Sequence, residues 1–142
     1  LSTYLQKDQG GKLAMGPIWD LNIGYDSGDR IPWDGWVYNY NSYVGQDAWL
    51  VPFWWPRLMS DPQFRALVKS RWQALRAASF STSVLLRSID ESANYLMENG
   101  ASDRNYDRWR LAEGVEYQVS VDRLKEYIEF RTVWMDGVID SY

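Results

Sequence analysis

The sequence predicts a mainly α-helical domain with one small β-hairpin near its N-terminal end. Three observations predict it. The pair Gly10-Gly11 separates two short strand-like segments. Three later stretches, beginning near Asp61, Thr82 and Glu113–Glu116, carry apolar residues at helical spacing. Between hairpin and helices, residues 24–45 are rich in Gly, Asp, Asn and Tyr and show no helical period.

In chain order, the hairpin comes first, over residues 3–20. "TYLQKD" and "KLAMGPIWDL" flank Gln9-Gly10-Gly11, and glycine supplies the positive φ that a tight turn requires. Pro17 has no N–H for a ladder, so the second strand should deviate just before Trp19. Residues 24–45 read as a long loop, which at that length is functional or mobile. A helical bundle should then occupy residues 47–139. "DAWLVPFWWPRLMSDP" reads as a short helix broken by Pro52 and Pro56. Asp61 is a good N-cap and Pro62 suits a first turn, after which Phe64, Leu67, Val68, Arg71, Trp72 and Leu75 follow at helical spacing. The next helix runs from about Thr82 to Met97, with Leu85, Ile89, Ala93 and Leu96 on one face and Asn99-Gly100 as its stop. The last and longest, near residues 115–138, carries Tyr117, Val121, Leu124, Ile128, Met135 and Val138. Arg131 falls inside that stripe, so the spacing predicts a carboxylate or carbonyl partner for it. Short connections predict antiparallel packing.

Composition narrows the chemistry. The 142 residues suit one domain with a core that needs neither disulfide nor metal. Nine Trp and ten Tyr bring a large aromatic area whose polar atoms want partners. With a net charge of −4 and no basic run, nucleic acid is not an expected partner. No Cys and no His are present, which excludes a thiol nucleophile, an imidazole base and a Cys or His zinc site. Any metal must be hard and oxygen-bound. No apolar run approaches the ~20 residues that cross a bilayer. The chain starts at Leu1 within an apparent strand and shows no signal peptide, so the expectation is a piece of a longer protein.

The segment "GPIWDLNIGYDSG" holds the main candidates. In an extended strand Asp20 and Asn22 point to one face, and Trp19 and Leu21 to the other, into the core. Two side-chain oxygens then converge, as a hard cation requires. Two ligands are few for a site, and an Asp after a strand also caps turns. Asp26, Asp29 and Asp34 are an acidic loop without EF-hand spacing. Trp33, Trp36, Tyr38, Tyr40 and Tyr43 form either an aromatic platform for carbohydrate or the packing of their own domain. "SDRNYDRWR" has three Arg that either grip phosphate or pair with acids on adjacent helices.

Taken in order, "YLQKDQGGKLAMGPIWDLNIGYDSG", "DPQFRALVKSRWQALR", "SDRNYDRWR" and "LKEYIEFRTVWMD" resemble the spore-coat protein H (CotH) kinase-like family, over most of the chain. The first stretch is the most specific: a strand, a Gly-Lys turn, then Gly-Pro-hydrophobic-Trp-Asp-aromatic-Asp/Asn. Arg71-Trp72 and the Arg…Trp-Met-Asp ending at Asp136 resemble the family's C-terminal region. The resemblance implies the C-terminal lobe of an atypical protein-kinase-like fold that binds ATP and metal, in a bacterial protein that is secreted or exposed at the cell surface. It implies that Asp20 is the metal-binding acid on the ATP phosphates, and that Asn22 stands where many members have Asp. Leu21 departs from the usual aromatic. The ATP-gripping Lys and the catalytic-loop Asp of the family lie upstream of the hairpin, so no catalytic residue is assigned within this chain. Phosphoryl transfer needs metal, Lys and Asp together. The resemblance therefore implies Mg²⁺ or Mn²⁺ with ATP in the full-length protein and none in this portion alone. It implies the N-terminal lobe of the parent chain as partner, with a protein substrate in reach. A pseudokinase, or a non-catalytic module that binds protein or carbohydrate through the aromatic loop, is the alternative.

Overall fold

The computed structural model describes residues 4–17, 19, 25, 32–44, 51–109 and 116–142. The chain divides into two units, Leu1–Leu58 and Met59–Tyr142. Among the described residues it is mainly helical, with one two-stranded antiparallel sheet.

In the first unit, β1 (Leu5–Gln6) pairs with β2 (Ala14–Met15), Leu5 opposite Met15 and Gln6 opposite Ala14. The turn closes where the Gly11 N–H donates to the Asp8 carbonyl at 2.9 Å, and Gly10 takes φ +74°. That left-handed value is open to glycine without a steric cost. The hairpin is where the glycine pair placed it; of the expected span 3–20, Thr3, Ile18 and Asp20 lie outside the described residues. The Gly16 N–H still donates to the Tyr4 carbonyl at 3.0 Å. Pro17 has no N–H to give to a ladder.

Residues 24–45 were expected as loop, and the described part corrects this. A 3₁₀ turn at Val37–Asn39 runs into α1 (Tyr40–Val44), and Tyr40 is buried. The physical reason is local: Ser42 Oγ donates to the Asn39 carbonyl at 2.7 Å, and the Asn41 side chain ties this short helix to Val51. The Val51 N–H donates to Asn41 Oδ1 at 2.8 Å while Asn41 Nδ2 donates to the Val51 carbonyl at 3.2 Å. Pro56 does not break a helix, as expected from sequence, but sits in the first turn of α2 (Trp54–Ser60). A first turn needs no N–H there.

The second unit is built from α3 (Pro62–Arg76), α4 (Thr82–Glu98), α5 (Ala101–Trp109) and α6 (Tyr117–Asp140). Asp61 caps α3 as predicted, accepting from the N–H groups of Gln63 at 2.7 Å and Phe64 at 3.3 Å. Ser81 caps α4, and Gly100, at φ +62°, stops it with an N–H donated to Met97. Helix α5 was not predicted; nine mostly polar, exposed residues carry no long apolar stripe. Helix α6 is the longest, as expected.

Antiparallel packing follows from the cross-links. Lys69 and Gln73 reach Asp140, while Trp72 and Arg76, further along α3, reach Asp136, earlier in α6. Thr82 shares Arg76 with Asp136, and Asp90 meets Lys125 at 2.8 Å, so α4 also runs against α6. Val121, Thr132 and Ile139 are the buried residues of α6, and Ala93 that of α4. The α6 stripe therefore passes through Thr132 and not through Arg131. The Thr132 hydroxyl is satisfied within its own helix, by the Ile128 and Glu129 carbonyls at 2.8 and 3.1 Å. Arg131 stands half-buried at the edge, its guanidinium 4.4 Å from the Trp134 ring centroid.

Candidate functional site

Asp20 and Asn22 lie outside the described residues, as do Asp26, Asp29, Leu21 and Arg110. What is described is the approach to them. β2 ends at Met15, and Gly16-Pro17 is a cis peptide. Trp19 was expected in the core; it is 52% exposed, with its ring 6.2 Å from that of Tyr4. The tilted contact with Tyr4 ties the end of this segment to the residue preceding β1. Asp34, the described member of the acidic loop, belongs to a turn in which the Gly35 N–H donates to the Pro32 carbonyl at 2.8 Å. Among the described residues no group of three Asp or Glu is placed to hold a metal ion.

The aromatic set divides. Tyr40 is 4% exposed and belongs to the core. Trp36 and Tyr38 stack on each other with centroids 6.1 Å apart and planes at 20°, and both are half-buried. Trp33 and Tyr43 remain exposed. Five aromatics at close sequence spacing thus do not form one platform: helical winding over 37–44 turns Tyr40 in.

The arginines of "SDRNYDRWR" serve helix ends and rings, among the described residues. Arg104 Nη1 donates to the Asn99 carbonyl at 2.8 Å, and Arg108 lies 5.4 Å from the Trp109 ring centroid. A basic side chain on a C-terminal carbonyl complements the helix dipole.

The most connected polar cluster of the second unit was not foreseen as a cluster. Trp72 and Arg76, four apart on α3, share a helix face. Trp72 Nε1 donates to Asp136 Oδ1 at 2.8 Å. Arg76 Nε donates to the same oxygen at 3.0 Å, and Nη2 to Oδ2 at 3.0 Å. The guanidinium also donates to the Phe80 carbonyl and to Thr82 Oγ1 at 3.1 Å. The sequence signal was an acid, Asp136, set between the apolar Met135 and Val138; its partners could not be chosen from spacing. An open cleft of about 390 Å³ adjoins the cluster, lined by Trp72, Gln73, Arg76, Thr82, Asp136 and Asp140. Both oxygens of Asp136 accept from fixed donors, and Arg76 is engaged at all three nitrogens. Such a saturated pair orders three helices and leaves no group placed for acid–base work.

Lys125 is held protonated to higher pH than usual, first by its hydrogen bond to Asp90 and then by the charges of Asp90, Asp122 and Glu129; partial desolvation opposes them. This pair is half-buried and structural. No helix among the described residues is long and apolar enough to cross a membrane.

A family model described as CotH kinase protein matches residues 1–135. No curated protein and no solved structure matches the chain. The matched span contains the hairpin, the Gly-Pro-Ile-Trp-Asp segment, and both α3 and α6 up to Met135, one residue before Asp136.

Proposed function

The chain belongs to the CotH kinase protein family, and from that premise we propose that it supplies the metal- and ATP-phosphate-binding acid, Asp20, of a secreted or surface-exposed bacterial kinase-like protein. The observation that carries this is the family match across residues 1–135, which includes Gly16-Pro17-Ile18-Trp19-Asp20. The donor set fits the group: one carboxylate and one amide oxygen, from Asp20 and Asn22, suit a hard cation whose remaining ligands are phosphate oxygens and water. When bound, Mg²⁺ or Mn²⁺ neutralises charge on the transferring phosphates. Asp20 supplies the negative charge that holds it, and Asn22 adds a neutral oxygen. With Asn in place of a second Asp, binding is weaker than a two-carboxylate site would give. The resemblance assigns the Lys and the catalytic Asp that phosphoryl transfer also needs to no residue of this chain, so the residues here are expected to hold metal and not to complete the reaction.

Calorimetric titration of Mg²⁺-ATP into the full-length protein tests the reading. Asp20→Ala should abolish metal-dependent nucleotide binding, and Asn22→Asp should tighten it. Equal affinity in wild type and Asp20→Ala would reduce Asp20 to a turn residue and remove the assignment. The isolated chain, given labelled ATP, Mg²⁺ and a generic acceptor, should show no turnover; reproducible transfer would refute that expectation.

A second reading is a non-catalytic binding module, favoured by the exposure of Trp33 and Tyr43. It predicts that Trp33→Ala weakens binding to a protein or oligosaccharide partner while nucleotide affinity is unchanged.

A further inference from the structure

The corner between α4 and α5 carries Asn99-Gly100, and of the six asparagines in the sequence Asn99 alone precedes a glycine. That order has a chemistry of its own. A glycine nitrogen has no side chain beside it, so it can attack the asparagine side-chain carbon and close a cyclic imide. The amide proton of the glycine leaves with the side-chain nitrogen as ammonia. Water then opens the ring at either carbonyl, giving aspartate or, where the backbone now runs through the side chain, isoaspartate. No electrons are transferred, and solvent water is the co-reactant.

The folded corner opposes each requirement of that attack. Asn99 Nδ2 donates to the Tyr95 carbonyl at 2.7 Å, which turns the side chain back over the preceding turn of α4 and away from Gly100. The Gly100 N–H, whose proton has to leave, donates to the Met97 carbonyl at 2.9 Å. The backbone torsion is also wrong. Ring closure needs the Gly100 nitrogen in line with Asn99 Cβ, whereas at ψ 6° it eclipses the nitrogen of Asn99 itself. Rotating it into place would swing the Asn99 carbonyl and carry α5 away from α4. Arg104 holds that carbonyl, with Nη1 donating to it at 2.8 Å. The same Nη1 lies 3.2 Å from the position a Cβ on Gly100 would take, so it also packs against the glycine. Asn99 is exposed, and water is at hand once the corner opens.

We propose that Asn99-Gly100 is a one-way chemical switch: the folded α4–α5 corner, held by Tyr95, Met97 and Arg104, keeps the amide intact, and each opening of that corner exposes it to deamidation. Ammonia is lost, and the product does not rebuild the corner. A carboxylate has no proton to give the Tyr95 carbonyl. It also sets a negative charge next to Glu98 at the C-terminal end of α4, where the helix dipole is already negative. Isoaspartate in addition lengthens the backbone between the two helices.

Peptide mapping by mass spectrometry reads the conversion at Asn99 in the 142-residue chain, held in mildly alkaline buffer with and without urea. Deamidation should be at least about tenfold slower in the folded chain, the factor that a local opening free energy of about 1.4 kcal/mol gives. Arg104→Ala should speed it in the folded chain and leave the rate in urea unchanged, with the circular dichroism spectrum retained. The Gly100 amide is both the attacking nitrogen and an exchangeable N–H, so hydrogen exchange gives a second measurement. In Arg104→Ala its exchange should rise by the same factor as deamidation. A folded wild type that deamidates as fast as the chain in urea overturns the proposal. So does Arg104→Ala that quickens Gly100 exchange without quickening deamidation, or that changes neither.

Discussion

Replacing Asp136 by Ala removes the acceptor shared by Trp72 and Arg76, and its cost can be worked from the geometry. Three donor atoms lose their partner: Trp72 Nε1 at 2.8 Å, Arg76 Nε at 3.0 Å and Arg76 Nη2 at 3.0 Å. Breaking a fully buried pair costs about 3–5 kcal/mol, while an exposed pair is worth about 0–1 kcal/mol. Here the side chains are 19% and 38% exposed, so water reaches the carboxylate and part of the guanidinium. Arg76 also keeps Phe80 and Thr82 as acceptors. Trp72 Nε1 is the group stranded most completely, and one stranded donor costs about 1–3 kcal/mol. The expected loss is about 2 kcal/mol, read by urea unfolding with tryptophan fluorescence. Asp140→Ala, which removes one exposed hydrogen bond, should cost under about 0.5 kcal/mol. If Asp136→Ala is equally harmless, the cluster does not hold α3 against α6. A double-mutant cycle with Arg76→Ala should give a coupling of about 1 kcal/mol or more, since the residues are in contact.

Asp61→Ala should cost about 1 kcal/mol by removing the cap of α3, while Asp61→Asn, another good cap, should cost little; equal losses in the two would show that the cap hydrogen bonds are not responsible. For Lys125, the folded-state pKa is raised above the ordinary lysine value of 10.5 by Asp90. Its stabilising contribution is thus fully present below 10.5 and lost as pH rises through the folded value. Titration of the Lys125 side chain by NMR should show that Asp90→Asn moves its pKa downward, and no movement would mean the hydrogen bond is not the cause.

Legibility from sequence followed the length of the repeating signal. α3, α4 and α6 each repeat an apolar period over several turns, and Asp61 at the start of α3 and Gly100 at the end of α4 lay where local chemistry placed them. The stripe in α6 was assigned to within one residue of its true phase: Arg131 was set in the core line that belongs to Thr132. A threonine hides in such a reading because its hydroxyl looks polar, yet it satisfies that hydroxyl on its own helix. α1 and α5 escaped because short helices owe their stability to side-chain ties, such as Asn41 to Val51, that spacing does not reveal. Pro56 was given the wrong meaning because a proline breaks a helix interior but opens a first turn. The same limit applies to the polar cluster. Asp136 was visible as a motif residue, but its bond to Trp72 spans sixty-four positions and depends on how two helices rotate. Trp19 was read as a core anchor from alternation; it lies beyond Pro17, which has no N–H for a ladder, and it is exposed. The hairpin's place was legible in its glycine pair.

The amide of Asn41 answers both backbone groups of Val51, as another peptide unit would. That clip joins two points ten positions apart. Closing a loop costs entropy that grows only slowly with its length, by about 0.6 kcal/mol for each doubling. Asn41→Ala should therefore lower the melting temperature, because it opens the closure and takes the partner from both backbone groups of Val51. An unchanged melting temperature would show that the clip does not hold α1 to Val51.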